Sequence, residues 1–482
     1  MPITLDTPAD FTLENLRRVA GGAEPVILAP AARARMLKAR REFLALIAAE
    51  PDRPVYGVTS GFGDRASVIL SEEERQAQAK RPPLVTAMGF GPALPERAVR
   101  AMLFTRLINY VSGYAAISLE TTEAIAAMLD GRPLPVVRLH GQDSEGELHQ
   151  LFNLFHHLMG EPSQLRDQNA LRNGTGCAPG LVADTALLAR RRATLALRVL
   201  ALSLDAANMG LGPRDPALRP LLRDEHECAA IDALQADLAG VATAGRRQHQ
   251  APISWRIVTR MAGQLLRVVA EAEAAARHLL DAVNDHPVFL GPEEAPPHGR
   301  CVTTGGFHVP RAYHALNWLA QGWADVAAIL ARQVDQIHKA AVTGLADKLF
   351  TAENRFSTFF LGTAAYEVAT RAQEAARPAL TPLYPGHDTQ TDTIMPLFRA
   401  WEREAEAARS FEALLAMLAA SASQALDVAG RPPAPPPRGV LGGVRAQFPV
   451  VRSPRDLGAD THRLAAAFAA ALLERSGAFG LG

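Results

Sequence analysis

The chain has 482 residues, 48% of them hydrophobic, and its 50 basic and 50 acidic side chains cancel. A chain of that size buries a large core, and its balanced charge offers neither a cationic face for nucleic acid nor a basic tract for a membrane surface. Cys177, Cys228 and Cys301 are widely spaced and odd in number, which excludes a disulfide framework or a CxxC zinc site and fits a reducing cytosol.

Residues 1–30 read as extended or irregular. Their start, Met1-Pro2-Ile3-Thr4-Leu5-Asp6, lacks the basic start and apolar run of a signal peptide, so a cytoplasmic location is expected. No uncharged apolar run reaches the roughly 18 residues that span a bilayer. Pro30, tolerated in a first helical turn, opens a helix over 31–49. The stretch 52–65 holds Tyr56-Gly57-Val58-Thr59-Ser60-Gly61-Phe62-Gly63, whose glycines preclude a regular helix or central strand and let a backbone approach a ligand. Helices follow over 95–109 and 118–129, separated by Gly113. Gly131, Pro133 and Pro135 then connect to an acidic, glycine-bounded turn, Gly141-Gln142-Asp143-Ser144-Glu145-Gly146-Glu147, and a helix over 148–159 that Gly160-Glu161-Pro162 stops.

Long Ala/Leu/Arg-rich segments occupy 180–208, 255–283, 310–342 and 396–429, well beyond the average helix of about 11–12 residues. Their apolar residues cover several faces; Leu195, Leu197, Leu200, Leu202 and Leu204 do not share one stripe. Such helices bury themselves in one another, so the expected fold is all-α, a bundle of long helices that self-associates. Residues 431–439 read as a polyproline-like spacer before a last helix over 460–475. In chain order this makes an N-terminal part, 1–210, a central bundle, 211–430, and a C-terminal tail, 431–482.

Five segments carry chemistry: the Tyr56 loop, Asn173-Gly174-Thr175, Gln250-Ala251-Pro252-Ile253-Ser254-Trp255-Arg256, Asn284-Asp285-His286-Pro287 and Gly305-Gly306-Phe307-His308. In this order and spacing they resemble the histidine and phenylalanine ammonia-lyases, the aromatic amino-acid lyase family. The resemblance runs over roughly residues 50–400. It implies the ammonia-lyase type of helical bundle and a homotetramer whose active sites draw on several chains. In that arrangement the Tyr56 loop reaches a site anchored by Asn173 and Arg256 of another chain.

The family's usual enzyme eliminates ammonia from an aromatic α-amino acid with a self-made electrophile, methylidene-imidazolone (MIO), formed from an Ala-Ser-Gly tripeptide. Two stretches of this chain correspond. Ser144-Glu145-Gly146 is preferred, because Glu147-Leu148 after it resembles the family's Asp-Leu and Asn173-Gly174-Thr175 falls at the expected distance, although the loop is one residue shorter. Ala178-Pro179-Gly180 has the flanking residues but follows Asn-Gly-Thr, in the wrong order. Glutamate or proline then stands at the serine position, and neither has a hydroxyl to lose. No MIO cofactor is therefore expected.

The resemblance assigns further roles singly. Tyr56 is the catalytic base or a structural tyrosine on a glycine loop. Arg256 is the carboxylate clamp, suited by its planar fork, or a helix-surface ion pair. Asn173 contacts substrate or caps its loop, and Phe307 lines the site. Ile253 replaces a tyrosine of the family, Thr391 follows Gln390 where an acid is usual, and Thr86 replaces the histidine of histidine-specific members. Glu145 is a general acid or base, a counter-ion to Arg256, or a solvated acid. Cys177 reads as a buried inert thiol, and His149, His156 and His157 lack the acidic partner of a metal site. The leading expectation is an MIO-independent enzyme performing acid–base chemistry on a small, carboxylate-bearing, amino-acid-derived substrate, with Tyr56 and Glu145 catalytic and Asn173, Arg256 and Phe307 binding. The alternative is a catalytically silent binding or scaffold protein. Conventional ammonia-lyase activity ranks third.

Overall fold

The computed structural model describes residues 2–80, 84–159, 164–242, 245–246, 249–382, 391–430, 435–474 and 478–481. Among these residues helices dominate, and the strands form three two-stranded sheets. The all-α expectation holds. The helices expected from pattern are present as Pro30–Ala49, Glu96–Val111, Leu119–Met128, Leu148–Phe155, Cys177–Ala206, Val258–Asp281, Pro310–Gln336, Leu397–Ala429 and Leu457–Leu473. The Leu397–Ala429 helix is long and apolar enough to cross a membrane, but 83% of its most apolar window is buried inside the protein, as a core helix is.

Two expectations fail. Residues 1–30 are not irregular: Leu13–Gly22 is a helix, and Ile3–Leu5 pairs in parallel with Val26–Leu28. Thr12 starts that helix by accepting the Asn15 N–H at 3.1 Å, and Leu16, Val19 and Ala20 line its buried face. The proline-rich spacer is also partly helical, with Pro435–Gln447 an α-helix. Prolines at its start forfeit only N–H groups that a first turn leaves unpaired. Residues 431–434 of that spacer, like Gln390 and Gly160-Glu161-Pro162, lie outside the described residues.

The chain divides into two compact units, each assembled from three separate segments that cut across chain order. Unit 1 comprises 1–187, 272–316 and 378–402. Its centre is the Glu96–Val111 helix, buried at every residue from Ala98 to Val111. Two polar residues of that helix hold the motif loops. Arg106, fully buried, donates to the carbonyls of Ala170, Asn173 and Thr175. Asn109 donates to the Thr175 and Asn284 carbonyls, each at 3.0 Å, and accepts the Asn284 N–H at 3.0 Å. One helix thus fastens Asn-Gly-Thr to Asn-Asp-His-Pro.

Unit 2 comprises 188–271, 317–377 and 403–482. Its long helices pack through several faces and enclose a polar network. Arg192 pairs with Glu412 at 2.7 Å, and Trp323 donates to Glu404 at 2.8 Å. Trp255, 1% exposed, donates to Ser203 at 3.0 Å, and Gln333 donates to the Ser254 carbonyl at 2.8 Å. These bonds fix the short Ile253–Arg256 helix.

Candidate active site

In unit 1 a cavity of about 550 Å³ opens between the motif loops. Its size suits an amino-acid-sized ligand, toward the lower end of the usual range for small-molecule sites. Tyr56, Glu145, Asn173 and Phe307 all line it. Four of the five residues named from sequence therefore meet in one place, and they do so within one chain. Tyr56 and Asn173 thus line one cavity without a second chain.

The Tyr56 loop is held from below. Asn169, completely buried, donates to the Tyr56 carbonyl at 3.0 Å. Tyr56 lines the cavity, and its hydroxyl oxygen accepts the Gly63 N–H at 3.4 Å, a weak contact. The ring packs edge-on against Phe62 at 5.5 Å and tilted against His286 at 5.2 Å. Asn173 ends the Asp167–Arg172 helix, and its amide donates to the Asn169 carbonyl at 3.1 Å. Gly174 turns the chain at φ +76, where a Cβ would lie 2.7 Å from the Asn284 carbonyl oxygen.

The acidic turn separates into three different roles. The Glu147 carboxylate accepts the N–H groups of Gly176, Cys177 and Ala178 at 2.6–2.7 Å, capping the Cys177–Ala206 helix. Burial nevertheless raises its pKa. Asp143, half-buried, faces the start of the Leu397–Ala429 helix with Arg399 at 3.9 Å, and burial raises its pKa too. Glu145 lines the cavity half-buried and with no ion pair among the described residues, whereas Glu147, which also lines it, has both carboxylate oxygens committed to the helix start. Ser144 fixes the turn by accepting the Met395 N–H at 2.8 Å. Gly146, at φ +74, sits where a Cβ would meet the Phe307 carbonyl oxygen at 2.6 Å.

Two further lining residues, His286 and Arg172, were given no individual role from sequence. His286 is 7% exposed and packs on Phe307 at 5.2 Å. Its Nδ1 accepts the Thr304 N–H at 3.2 Å, so the ring proton sits on Nε2. Burial, then the Arg166 charge, lowers its pKa and keeps it neutral. Arg172 is 7% exposed, and burial lowers its pKa to about 9; Tyr56 is the one neighbour acting to raise it. In sequence it is an arginine directly before Asn-Gly-Thr, at a helix end where arginines are ordinarily solvated, so nothing there marks its burial.

Arg256 is not among the lining residues: it lies in unit 2, exposed and without an ion pair among the described residues. Cys177 is buried, and desolvation followed by Glu147 raises its thiol pKa well above normal, so it is an inert core thiol. No cluster of metal-binding side chains occurs among the described residues.

Set against a self-made MIO group, the residues present do not fit. Glu145 has no hydroxyl to lose. Ala178-Pro179-Gly180 lies buried in the first turn of the Cys177–Ala206 helix, and Pro179 is no better supplied.

A helical framework with a tyrosine-glycine loop, an Asn-Gly-Thr turn and a phenylalanine around one cavity is that of an ammonia-lyase-type protein. The family model for aromatic amino acid lyases matches residues 11–169 and 163–446, and the chain belongs to that family. It is 26% identical to a histidine ammonia-lyase of Bradyrhizobium diazoefficiens, over 95% of this chain and 93% of the other. Its fold resembles that of the ergothioneine-degrading enzyme ergothionase from Treponema denticola, with a TM-score of 0.87 at 17% identity over 96% and 98% of the two chains. It also resembles histidine ammonia-lyase from Trypanosoma cruzi, with a TM-score of 0.83 at 19% identity over 98% and 94%. These relatives are enzymes, and this chain is a member of a lyase family.

Proposed function

We propose that this protein is an MIO-independent lyase that eliminates an amine from a small, amino-acid-derived carboxylate whose leaving group needs no electrophile. Glu145 carries the reading: the residue at the electrophile position is an acid facing the cavity rather than a dehydratable serine. Ammonia leaves poorly, and an electrophile that captures the amine makes its departure feasible. A quaternary ammonium has no lone pair with which to add to an electrophile, and it departs as a neutral tertiary amine. A betaine therefore meets both constraints, and the likeness to an ergothioneine-degrading enzyme points to the same class of compound.

In the proposed step the Tyr56 oxygen, its own proton first released to solvent, takes a proton from the β-carbon. The C–H electron pair becomes the Cα=Cβ bond, and the Cα–N bond breaks with its pair remaining on nitrogen. The proton taken by Tyr56 then passes to the departing amine, so the products are an unsaturated carboxylate and a protonated amine. Glu145 offers its negative charge to the ammonium, and Asn173, His286 and Phe307 bound the reacting carbons. General-base assistance of this kind contributes about 10²–10⁴-fold. Self-association into four chains, and a cytoplasmic location, belong to the same proposal; light scattering checks the first.

The test is incubation with ergothioneine, the trimethylammonium betaine of histidine, histidine, phenylalanine and tyrosine, reading trimethylamine and ammonia separately. Trimethylamine from a betaine, abolished in Tyr56→Phe, is expected. Ammonia from an amino acid at a rate exceeding any betaine turnover, or full activity in Y56F, contradicts the reading. Binding without turnover of any compound returns the chain to the scaffold alternative.

A further inference from the structure

The proposed elimination leaves the basic group of the cavity, Arg172, unused. Arg172 is the only arginine or lysine among the described residues lining the cavity. It is 7% exposed, and no hydrogen bond or ion pair from its guanidinium occurs among the described residues. What it has is the Phe62 ring, with the guanidinium carbon 3.0 Å from the ring centroid, and Phe152 at 5.7 Å. Buried guanidinium groups are ordinarily satisfied, because leaving such donors without acceptors is costly. Other buried arginines of the same unit each donate to at least one protein acceptor, although Arg40 Nε and Arg166 Nη1 stay unpaired among the described residues. Arg106 donates to three carbonyls, Arg166 donates to Ala115 and Pro287, and Arg40 donates to Ala116. Arg172 is a largely buried residue whose guanidinium finds no acceptor among the described residues, at the wall of a ligand-sized cavity.

We propose that Arg172 is the carboxylate receptor of this cavity, binding the substrate's carboxylate through its guanidinium fork within each chain. The proposal rests on the reading of the substrate as a small carboxylate. It reassigns to Arg172 the clamp that the family resemblance gives to Arg256. A carboxylate supplies both missing elements, a negative charge and paired acceptors in the plane of the fork. Burial opposes the bare charge of Arg172, whose pKa falls to about 9, and an incoming carboxylate reverses that opposition. The same charge is sensed by Tyr56. A carboxylate held by Arg172 lies in the cavity that Tyr56 also lines, with the β-carbon two carbons further along the ligand.

The test is calorimetric titration of the intact protein with imidazolepropionate and with phenylpropionate, each beside its methyl ester. The wild type is expected to prefer acid to ester by at least about tenfold, the worth of one charged hydrogen bond in a buried site. Arg172→Gln is expected to bind acid and ester equally, with the loss falling on the acid. Arg256→Gln is expected to keep the preference. A preference that survives R172Q, one that disappears in R256Q instead, or a wild type that binds neither acid over its ester overturns the proposal. If R172Q does not fold, Arg172→Lys decides. Retained preference with several-fold weaker acid binding supports a fork; unchanged acid affinity overturns it. Acid-selective binding without amine release from any betaine keeps this proposal and removes the elimination reading. Amine release undiminished in R172Q does the reverse.

Discussion

Replacing Arg172 with methionine is expected to make the ligand-free protein more stable, the opposite of what truncating a buried, bonded arginine does. Burial lowers the Arg172 pKa from its ordinary value to about 9. A drop of roughly three and a half pH units, at about 1.4 kcal/mol each, is about 5 kcal/mol carried as strain by the charged folded state. Contact with Phe62 returns about 1–2 kcal/mol of that through cation–π attraction. Methionine fills similar apolar volume without charge, so a net gain of about 3 kcal/mol follows, within the range seen when buried ionic groups are replaced by hydrophobic ones. The sign of the pH dependence is set by the depressed pKa. The penalty is fully present below about pH 9, where the folded-state guanidinium is charged, and it fades as the pH rises above that value. The assay is thermal unfolding of wild type, Arg172→Met and Arg172→Lys in a buffer free of carboxylates. R172M should melt above wild type at pH 7, with the gap narrowing toward pH 10, and R172K should show no such gain. An R172M that melts well below wild type at pH 7 refutes the reasoning. It would mean that Arg172 already has a counter-charge, whose stranding costs about 3–5 kcal/mol.

Glu147→Ala strands three buried N–H groups at the start of the Cys177–Ala206 helix, and a loss of about 2–4 kcal/mol is expected, read as a lower melting temperature and faster amide exchange at 176–178. Unchanged exchange there contradicts the capping role. Gly146→Ala forces a Cβ against the Phe307 carbonyl at a positive φ, costing about 1–3 kcal/mol and displacing Phe307; a variant as stable as wild type contradicts the close approach. His338 donates to the Val334 carbonyl and accepts from Thr358, and burial lowers its pKa to about 4. The folded state keeps it neutral while the unfolded chain takes up a proton, so about 3 kcal/mol should be lost as the pH falls from about 6.5 toward 4. His338→Leu should flatten that slope by one proton in a melting-temperature series against pH.

Periodicity and composition made the long helices legible because they are dense in good helix formers and apolar on several faces. The expected 396–429 is observed as Leu397–Ala429, and 31–49 as Pro30–Ala49. The segment read as 255–283 begins instead with a separate short turn, because Trp255 anchors Ile253–Arg256 before Val258 starts the main helix. Leu13–Gly22 escaped notice among glycines and short strands, although Thr12 and the Leu16–Val19–Ala20 spacing announce it. At the site, the motif residues Tyr56, Asn173 and Phe307 were readable as types, and the cavity they share was not. Glu145 was ambiguous for a physical reason: Asp143 and Glu147 look equivalent to it in sequence, and only the helix starts beside them show that those two are occupied elsewhere. Arg172 was unreadable because solvation and burial of an arginine at a helix end leave no difference in local pattern.

The central claim is that this lyase-family cavity works without a self-made electrophile. The intact mass of the purified protein, taken from a preparation that releases amine from a betaine, tests it most directly. The account predicts the mass of the unmodified sequence with Glu145 recovered intact in its peptide. A mass lower by water, localised to the peptide spanning Ser144 to Gly146 or Ala178 to Gly180, would contradict it.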